Sequence, residues 1–290
     1  MDVRPRRSVL YVPGSNARAI EKARALPADG LILDLEDAVA PSAKAQARSA
    51  VEEALAAGGF GPREVTVRVN GASTPWGAAD LAMAARSGAD AVVLPKVEGA
   101  GEVRAAERAL EAAGAPATLE LWCMIETPRG VLASADIAAA TARLACLVMG
   151  TSDLVKDLRA RHTPGRAEVL VALGTVLLAA RANGLAALDG VHLDLADDAG
   201  FEAACRQGRD LGFDGKTLVH PRTIEAANRV FAPGETEVAE ARRVIAAHAE
   251  ADAAGKGVVV VDGKLVEALH VENARRLVAL ADAIAARARP

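Results

Sequence analysis

Short apolar runs recur along the chain at residues 8–12, 31–35, 65–69, 91–94, 119–125, 144–149, 188–193 and 216–219. Each is strand-length and bounded by turn residues, and none alternates polar with apolar. That pattern reads as buried parallel strands. Between them lie Ala-, Glu- and Arg-rich segments with helical spacing, at 16–26, 42–56, 77–86, 102–113, 168–183 and 198–211. Strand and helix in alternation predict an α/β fold with a parallel sheet under helices, and eight repeats predict closure into a (β/α)8 TIM barrel. An open doubly wound sheet is the structural alternative.

The eighth run ends at His220-Pro221, yet the chain continues to Pro290. A helix is expected from about 235 to 254, then two short apolar arms, 258–261 and 264–267, joined by Asp262-Gly263, and a last helix from about 271 to 286. Asp-Gly between such arms predicts a hairpin, because a type I′ turn needs positive φ at both central positions. The expected organisation is therefore a catalytic barrel over 1–232 and a helix-hairpin-helix arm over 233–290. Having no place in the barrel wall, the arm is expected to cover a mouth or to pack on a neighbouring subunit.

Composition narrows the function classes. With 51% hydrophobic residues in a chain of 290, a large core is available. A net charge of −4 offers no broad cationic field for a nucleic-acid backbone, and 2% aromatic content argues against base-stacking surfaces. The apolar runs stop well short of a membrane span, and the one after the basic opening residues is too short for a signal-peptide core. A cytoplasmic protein without nucleic-acid or membrane partners is expected. Cys123, Cys146 and Cys205 are odd in number and read as packing residues.

Chemistry gathers where the runs end. Glu126 follows the fifth and Asp153 the sixth, and carboxylates just past barrel strands point into the mouth where catalytic groups collect. Alone, either would read as a helix cap or a salt-bridged rim residue. Together they predict a hard-cation site, with Mg²⁺ the first choice and coordination positions left for substrate oxygens. Asp34, Glu36 and Asp37 follow the second run, Arg68 and Asn70 the third, and Lys96 the fourth. Arg68 reads either as an ion-pair partner of Asp34 or Glu36, or as an oxyanion donor preorganised by them. Lys96 has the type of a Schiff-base nucleophile, but charge pairing or substrate orientation is more economical beside two carboxylates. Pro13-Gly14-Ser15-Asn16 reads as a loop with a helix cap, and His192 and His220 as supporting groups.

Several segments carry a family resemblance. They are Arg7-Ser8-Val9-Leu10-Tyr11-Val12-Pro13-Gly14, Leu33-Asp34-Leu35-Glu36-Asp37-Ala38-Val39, Val67-Arg68-Val69-Asn70, Leu94-Pro95-Lys96-Val97-Glu98, Ile125-Glu126-Thr127-Pro128-Arg129-Gly130, Gly150-Thr151-Ser152-Asp153 and 213–221. In that order the chain resembles the CitE-like branch of the HpcH/HpaI aldolase superfamily, which holds the citrate lyase β subunit and the malyl-CoA, β-methylmalyl-CoA and citramalyl-CoA lyases. The resemblance covers nearly the whole length. It implies a trimeric or other homo-oligomeric barrel enzyme with Mg²⁺ on Glu126 and Asp153, Arg68 against the acyl substrate, and an arm that closes a neighbour's site. It also implies an acid/base on the arm after the hairpin, where the CoA-ester lyases carry an aspartate and this chain carries Glu267, one methylene longer.

The expected reaction is Mg²⁺-dependent carbon-carbon cleavage, or its reverse, of a 3-hydroxyacyl-CoA into an acyl-CoA and a 2-oxo acid. Asp34, Glu36, Asp37 and Lys96 would support or orient, while Arg68 and Glu126 contact substrate. Alternatives are a citrate lyase β subunit working beside partner subunits, a malyl-CoA thioesterase, a pyruvate-dependent class II aldolase without CoA, and a catalytically silent acyl-CoA-binding protein.

Overall fold

The computed structural model describes residues 3–253, 255 and 257–287. Contacts divide the chain into two compact units, Arg6–Phe231 and the segment from Ala232 onward together with the N-terminal residues up to Pro5. In the first, eight parallel strands close into a barrel in sequence order: β1 (Ser8–Pro13), β2 (Gly30–Asp34), β3 (Glu64–Arg68), β4 (Ala91–Leu94), β5 (Glu120–Ile125), β6 (Leu144–Met149), β7 (Ala186–Asp189) and β8 (Gly215–Leu218). Helices α1 (Ala17–Ala23), α2 (Lys44–Ala57), α3 (Gly77–Ala84), α4 (Ala100–Ala112), α5 (Pro128–Leu132), α6 (Ser134–Ala138), α7 (Thr151–Asp157), α8 (Leu170–Ala182), α9 (Asp198–Leu211) and α10 (Ile224–Phe231) connect them. This is the (β/α)8 barrel expected from the strand count.

Successive strand residues face opposite sides, and the core divides accordingly. Val9, Ile32, Val93, Trp122, Met124, Cys146, Val148 and Leu188 pack in the barrel interior, while Leu10, Leu33, Val67, Val92 and Leu147 pack outward under the helices. Removing that apolar surface from water is the main stabilising term, at about 25 cal/mol per Å². The three cysteines are buried and free, and burial pushes the Cys205 thiol up to about 11, as suits packing residues.

One strand departs from its expected place. The seventh was expected at 188–193 but runs Ala186–Asp189. The Asp189 carboxylate turns the chain by accepting the Gly190 N–H at 2.8 Å. Gly190 packs so tightly that a Cβ there would stand 2.5 Å from the Thr151 hydroxyl, so His192 and Leu193 leave the sheet.

The second unit pairs α11 (Glu235–Ala253) with α12 (Ala268–Arg287) and carries a hairpin of β9 (Val259–Val261) and β10 (Lys264–Val266). Asp262 and Gly263 have φ of 49° and 77°, as a type I′ turn requires. No helix among the described residues is long and apolar enough to cross a membrane.

Candidate active site

Four inward-facing positions converge at the C-terminal mouth. Tyr11 lies two residues past Val9, Asp34 two past Ile32, and Glu126 two past Met124, so each continues the inward face of its strand. Arg68 is the last residue of β3 and sits in register with Asp34 on one side and Val93 on the other. Its guanidinium is gripped bidentately by Asp34, Nε donating to Oδ1 at 2.7 Å and Nη2 to Oδ2 at 2.6 Å. The guanidinium carbon lies 4.8 Å from the centre of the Tyr11 ring. Burial opposes the charge, but the Asp34 bond and the neighbouring Tyr11, Asp34 and Glu36 outweigh it and hold the Arg68 pKa above its ordinary value.

The third nitrogen of Arg68 faces the acids of the loop after β2, with Asp37 Oδ2 at 3.7 Å. Nη1 lies 2.9 Å from Glu36 Oε2 and donates to the Met124 thioether at 3.7 Å, a weak acceptor that a substrate oxygen would outcompete. Glu36 Oε2 itself is buried and, among the described residues, has no aligned hydrogen-bond donor despite that close charge. Burial pushes the Glu36 carboxyl up, and Arg68 and Lys96 oppose the shift. Lys96 Nζ donates to Glu36 Oε1 at 2.5 Å and lies 3.6 Å from Asp37 Oδ2. Asp37, half exposed, is held below its ordinary value: burial works against this, but Glu36, Arg68 and Lys96 prevail.

The Lys96 backbone does separate work. Its φ of 49° is in the left-handed region, which disfavours a lysine and costs on the order of 1 kcal/mol or more. In this conformation its N–H donates to Glu126 Oε1 at 2.8 Å. Glu126 is 2% exposed, and burial pushes its carboxyl up to about 7 against the Lys96 N–H and charge. A Cβ on Gly150 would overlap the Glu126 carboxylate, so the glycine after β6 is what lets that side chain lie across the neighbouring strand end.

Asp153 stands in the first turn of α7, three residues beyond Gly150, about one-third exposed and 3.4 Å from Lys156 Nζ. The structure thus joins Asp34, Glu36, Asp37, Arg68, Lys96 and Glu126 in one contact network and sets Asp153 on the adjacent strand end. Glu267 belongs to the other unit, where it is exposed and its N–H donates to His270 Nδ1 at 3.0 Å. Asn70 instead binds Leu35 O and Asp80, supporting the loop after β3. His220 caps the short turn after β8, and His192 stacks edge-on against Phe201, 6.0 Å between ring centres.

Sequence reasoning missed Tyr11, Met124 and Gly150. The inward alternation Val9, Tyr11 was available as a signal for the first; the glycine's role depends on a side chain from another strand.

Among the described residues no three His, Cys, Asp or Glu side chains form a ready cation cage. The donor set nevertheless fits Mg²⁺, which binds through one or two carboxylates and keeps its other positions for water and substrate. Buried carboxylates outnumbering cations at one mouth also favour cation uptake.

A closed parallel barrel with an acid-rich, arginine-centred mouth defines an enzyme-type (β/α)8 site. Residues 7–221 match the HpcH/HpaI aldolase/citrate lyase family, and the chain belongs to that family. It is 51% identical over 282 residues to a (3S)-malyl-CoA thioesterase of Cereibacter sphaeroides, covering 97% of this chain and 96% of that protein. It is 39% identical to the citrate lyase subunit beta of Escherichia coli, covering 96% and 94%. Among solved structures it resembles the CitE protein of Mycobacterium tuberculosis in complex with magnesium, acetoacetate and coenzyme A, with a TM-score of 0.75, 30% identity, and coverage of 96% and 98%.

Proposed function

We propose that the chain acts with Mg²⁺ on a malyl-CoA-type 3-hydroxyacyl thioester, cleaving it into an acyl-CoA and a 2-oxo acid. The observation that carries this reading is the Arg68 fork: a guanidinium preorganised by Asp34, with its third nitrogen facing Glu36 and the Met124 thioether, near Glu126 at the barrel mouth. Glu126 and Asp153 would hold the cation, whose charge, when it is bound, polarises the oxygens of the 2-oxo acid portion. Arg68 stabilises the negative charge that develops on the thioester oxygen as the carbon-carbon bond breaks and its electrons pass to the acyl-CoA fragment. Asp34 keeps the guanidinium plane fixed, so this donor needs no reorganisation during the reaction. Lys96 and Asp37 orient Glu36 and keep the rim charged.

The resemblance supports a role for Glu267, on an arm delivered by a neighbouring copy in a homo-oligomer, in returning a proton to the enolate carbon. Hydrolysis of the same thioester is the second reading, favoured by the 51% identity to a malyl-CoA thioesterase.

Incubating purified protein with malyl-CoA and Mg²⁺, and following free CoA and 2-oxo acid separately, tests both. Lysis releases glyoxylate and acetyl-CoA without free CoA, whereas hydrolysis releases CoA and malate. Turnover that survives complete removal of divalent cations would overturn the metal-dependent reading.

A further inference from the structure

A second charged cluster lies on the other side of the same barrel wall. Leu188 faces the interior, so the next residue, Asp189, faces outward, as does its register partner Lys216 on β8. The Asp189 carboxylate is fully buried; Arg166 donates to both of its oxygens, at 2.8 and 2.5 Å, and Lys216 Nζ donates to Oδ2 at 2.8 Å. Two cations therefore share one carboxylate. Lys216 is 1% exposed, yet its ammonium spends one of three N–H donors on that bond.

These cations form a wall of a cavity of about 360 Å³, the small end of the range for metabolite pockets. Val155, Val169 and Val191 line it, and His192 adds a ring whose buried Nε2 has no hydrogen-bond partner among the described residues. The acids at the cavity are engaged locally: Glu168 accepts from Thr163, Asp194 from the Ala196 N–H and Asp197 from the Gly200 N–H. With Arg166 and Lys216 sharing the single Asp189 carboxylate, the buried Lys216 ammonium keeps donors that a second anion at the cavity wall can accept from. Burial pushes the Lys216 ammonium below its ordinary pKa; Asp189 opposes and Arg166 adds to the shift.

We propose that this cavity binds a small carboxylate-bearing metabolite, its carboxylate on Lys216 and His192 and its carbon chain against the three valines. The site differs from the barrel mouth in that Lys216 projects from the outer face of β8, whereas Asp34, Arg68 and Glu126 continue inward faces; α7, which carries Asp153, borders it through Thr151 and Val155.

Calorimetric titration of the metal-free full chain with acetate, propionate, butyrate and inorganic phosphate tests the assignment. Saturable binding should tighten about fourfold per added methylene, the transfer gain of one CH₂. Lys216→Met keeps the Arg166–Asp189 pair and His192→Phe keeps the packing on Phe201; each should weaken butyrate at least tenfold in protein that melts cooperatively. Absence of saturable binding, phosphate binding without any chain-length trend, or undiminished butyrate binding in the folded variants would each overturn the proposal.

Discussion

Each end of the barrel holds an arginine in a carboxylate fork over an aromatic ring, and β3 contributes to both. Glu64, its first residue, takes Arg6 at the bottom through Nε and Nη2 at 2.6 and 2.7 Å, with Glu120 adding a contact at 3.3 Å. Arg68, its last residue, is taken by Asp34 at the top. Arg6 lies 5.2 Å from the centre of the Trp122 ring, as Arg68 lies 4.8 Å from that of Tyr11. The local geometry is nearly the same, so pairing alone does not separate a structural fork from a functional one. What differs is the setting. Around Arg68 stand Glu36 and Glu126, both pushed up by burial, a lysine with left-handed backbone, and partly exposed acids at the open mouth. A barrel's bottom face commonly serves stability and its top face chemistry, and these surroundings are the ground on which that division is proposed.

The largest effect is expected at the bottom. Arg6→Met removes the bidentate ion pair on the buried Glu64 carboxylate, a loss of about 3–5 kcal/mol. Thermal melting should fall on the order of 10 °C, while activity per folded molecule, measured well below the transition, stays near normal. Lost turnover at unchanged stability would mean that the two ends are not divided this way.

At the top the order reverses. Arg68→Lys keeps the charge but loses the planar fork, and kcat should fall roughly a hundredfold or more. Stability should change much less than in Arg6→Met, because a lysine still pairs with Asp34 or Glu36. Near-normal kcat with a lowered melting temperature would place Arg68 with Arg6 as a rim ion pair.

Glu126 sharpens the contrast by sign. In the metal-free protein its pKa of about 7 lies above the ordinary 4.5. A carboxyl raised on folding contributes stability that is fully present below its ordinary pKa and lost as pH rises through 7. Neutralising it should therefore stabilise the chelator-treated protein, on the order of 1–3 kcal/mol near pH 8. Melts of wild type and Glu126→Gln should converge near pH 4 and separate as pH rises. A destabilised Gln variant at high pH would show Glu126 to be a structural acid like Glu64.

The strand count made the barrel readable, since each buried run ended in turn residues, and charge at the run ends located most of the mouth network. Pairing was less accessible. Asp34 and Arg68 stand 34 positions apart, and both the ion-pair and oxyanion readings suited them before the fork was seen. The seventh strand was misplaced because Val191 and Leu193 look like strand residues, while the turn at Gly190 depends on Asp189 capturing an amide. Arg166 and Lys216 gave no signal, because their meeting depends on a loop conformation and on which face of β8 is turned outward. Asp262-Gly263 was readable because its turn is set by local backbone preference alone.

The smallest effect tests whether the ring beneath Arg68 matters for its face or for its hydroxyl. Among the described residues the Tyr11 hydroxyl donates only to Met124 Sδ, at 3.6 Å, a weak contact. Its ring, by contrast, lies under the guanidinium, where an aromatic face is worth about 0.5–2 kcal/mol. Tyr11→Phe should therefore leave kcat within about threefold of wild type and stability within about 1 kcal/mol. Tyr11→Leu keeps apolar volume but removes the face, so it should lower kcat more than Tyr11→Phe while leaving the Asp34 fork intact. Trp122→Leu, the matching change beneath Arg6, should instead appear in the melting temperature. If Tyr11→Phe abolished turnover with an unchanged melt, the hydroxyl would have to act on substrate, and the likeness between the two arginine forks would end at their geometry.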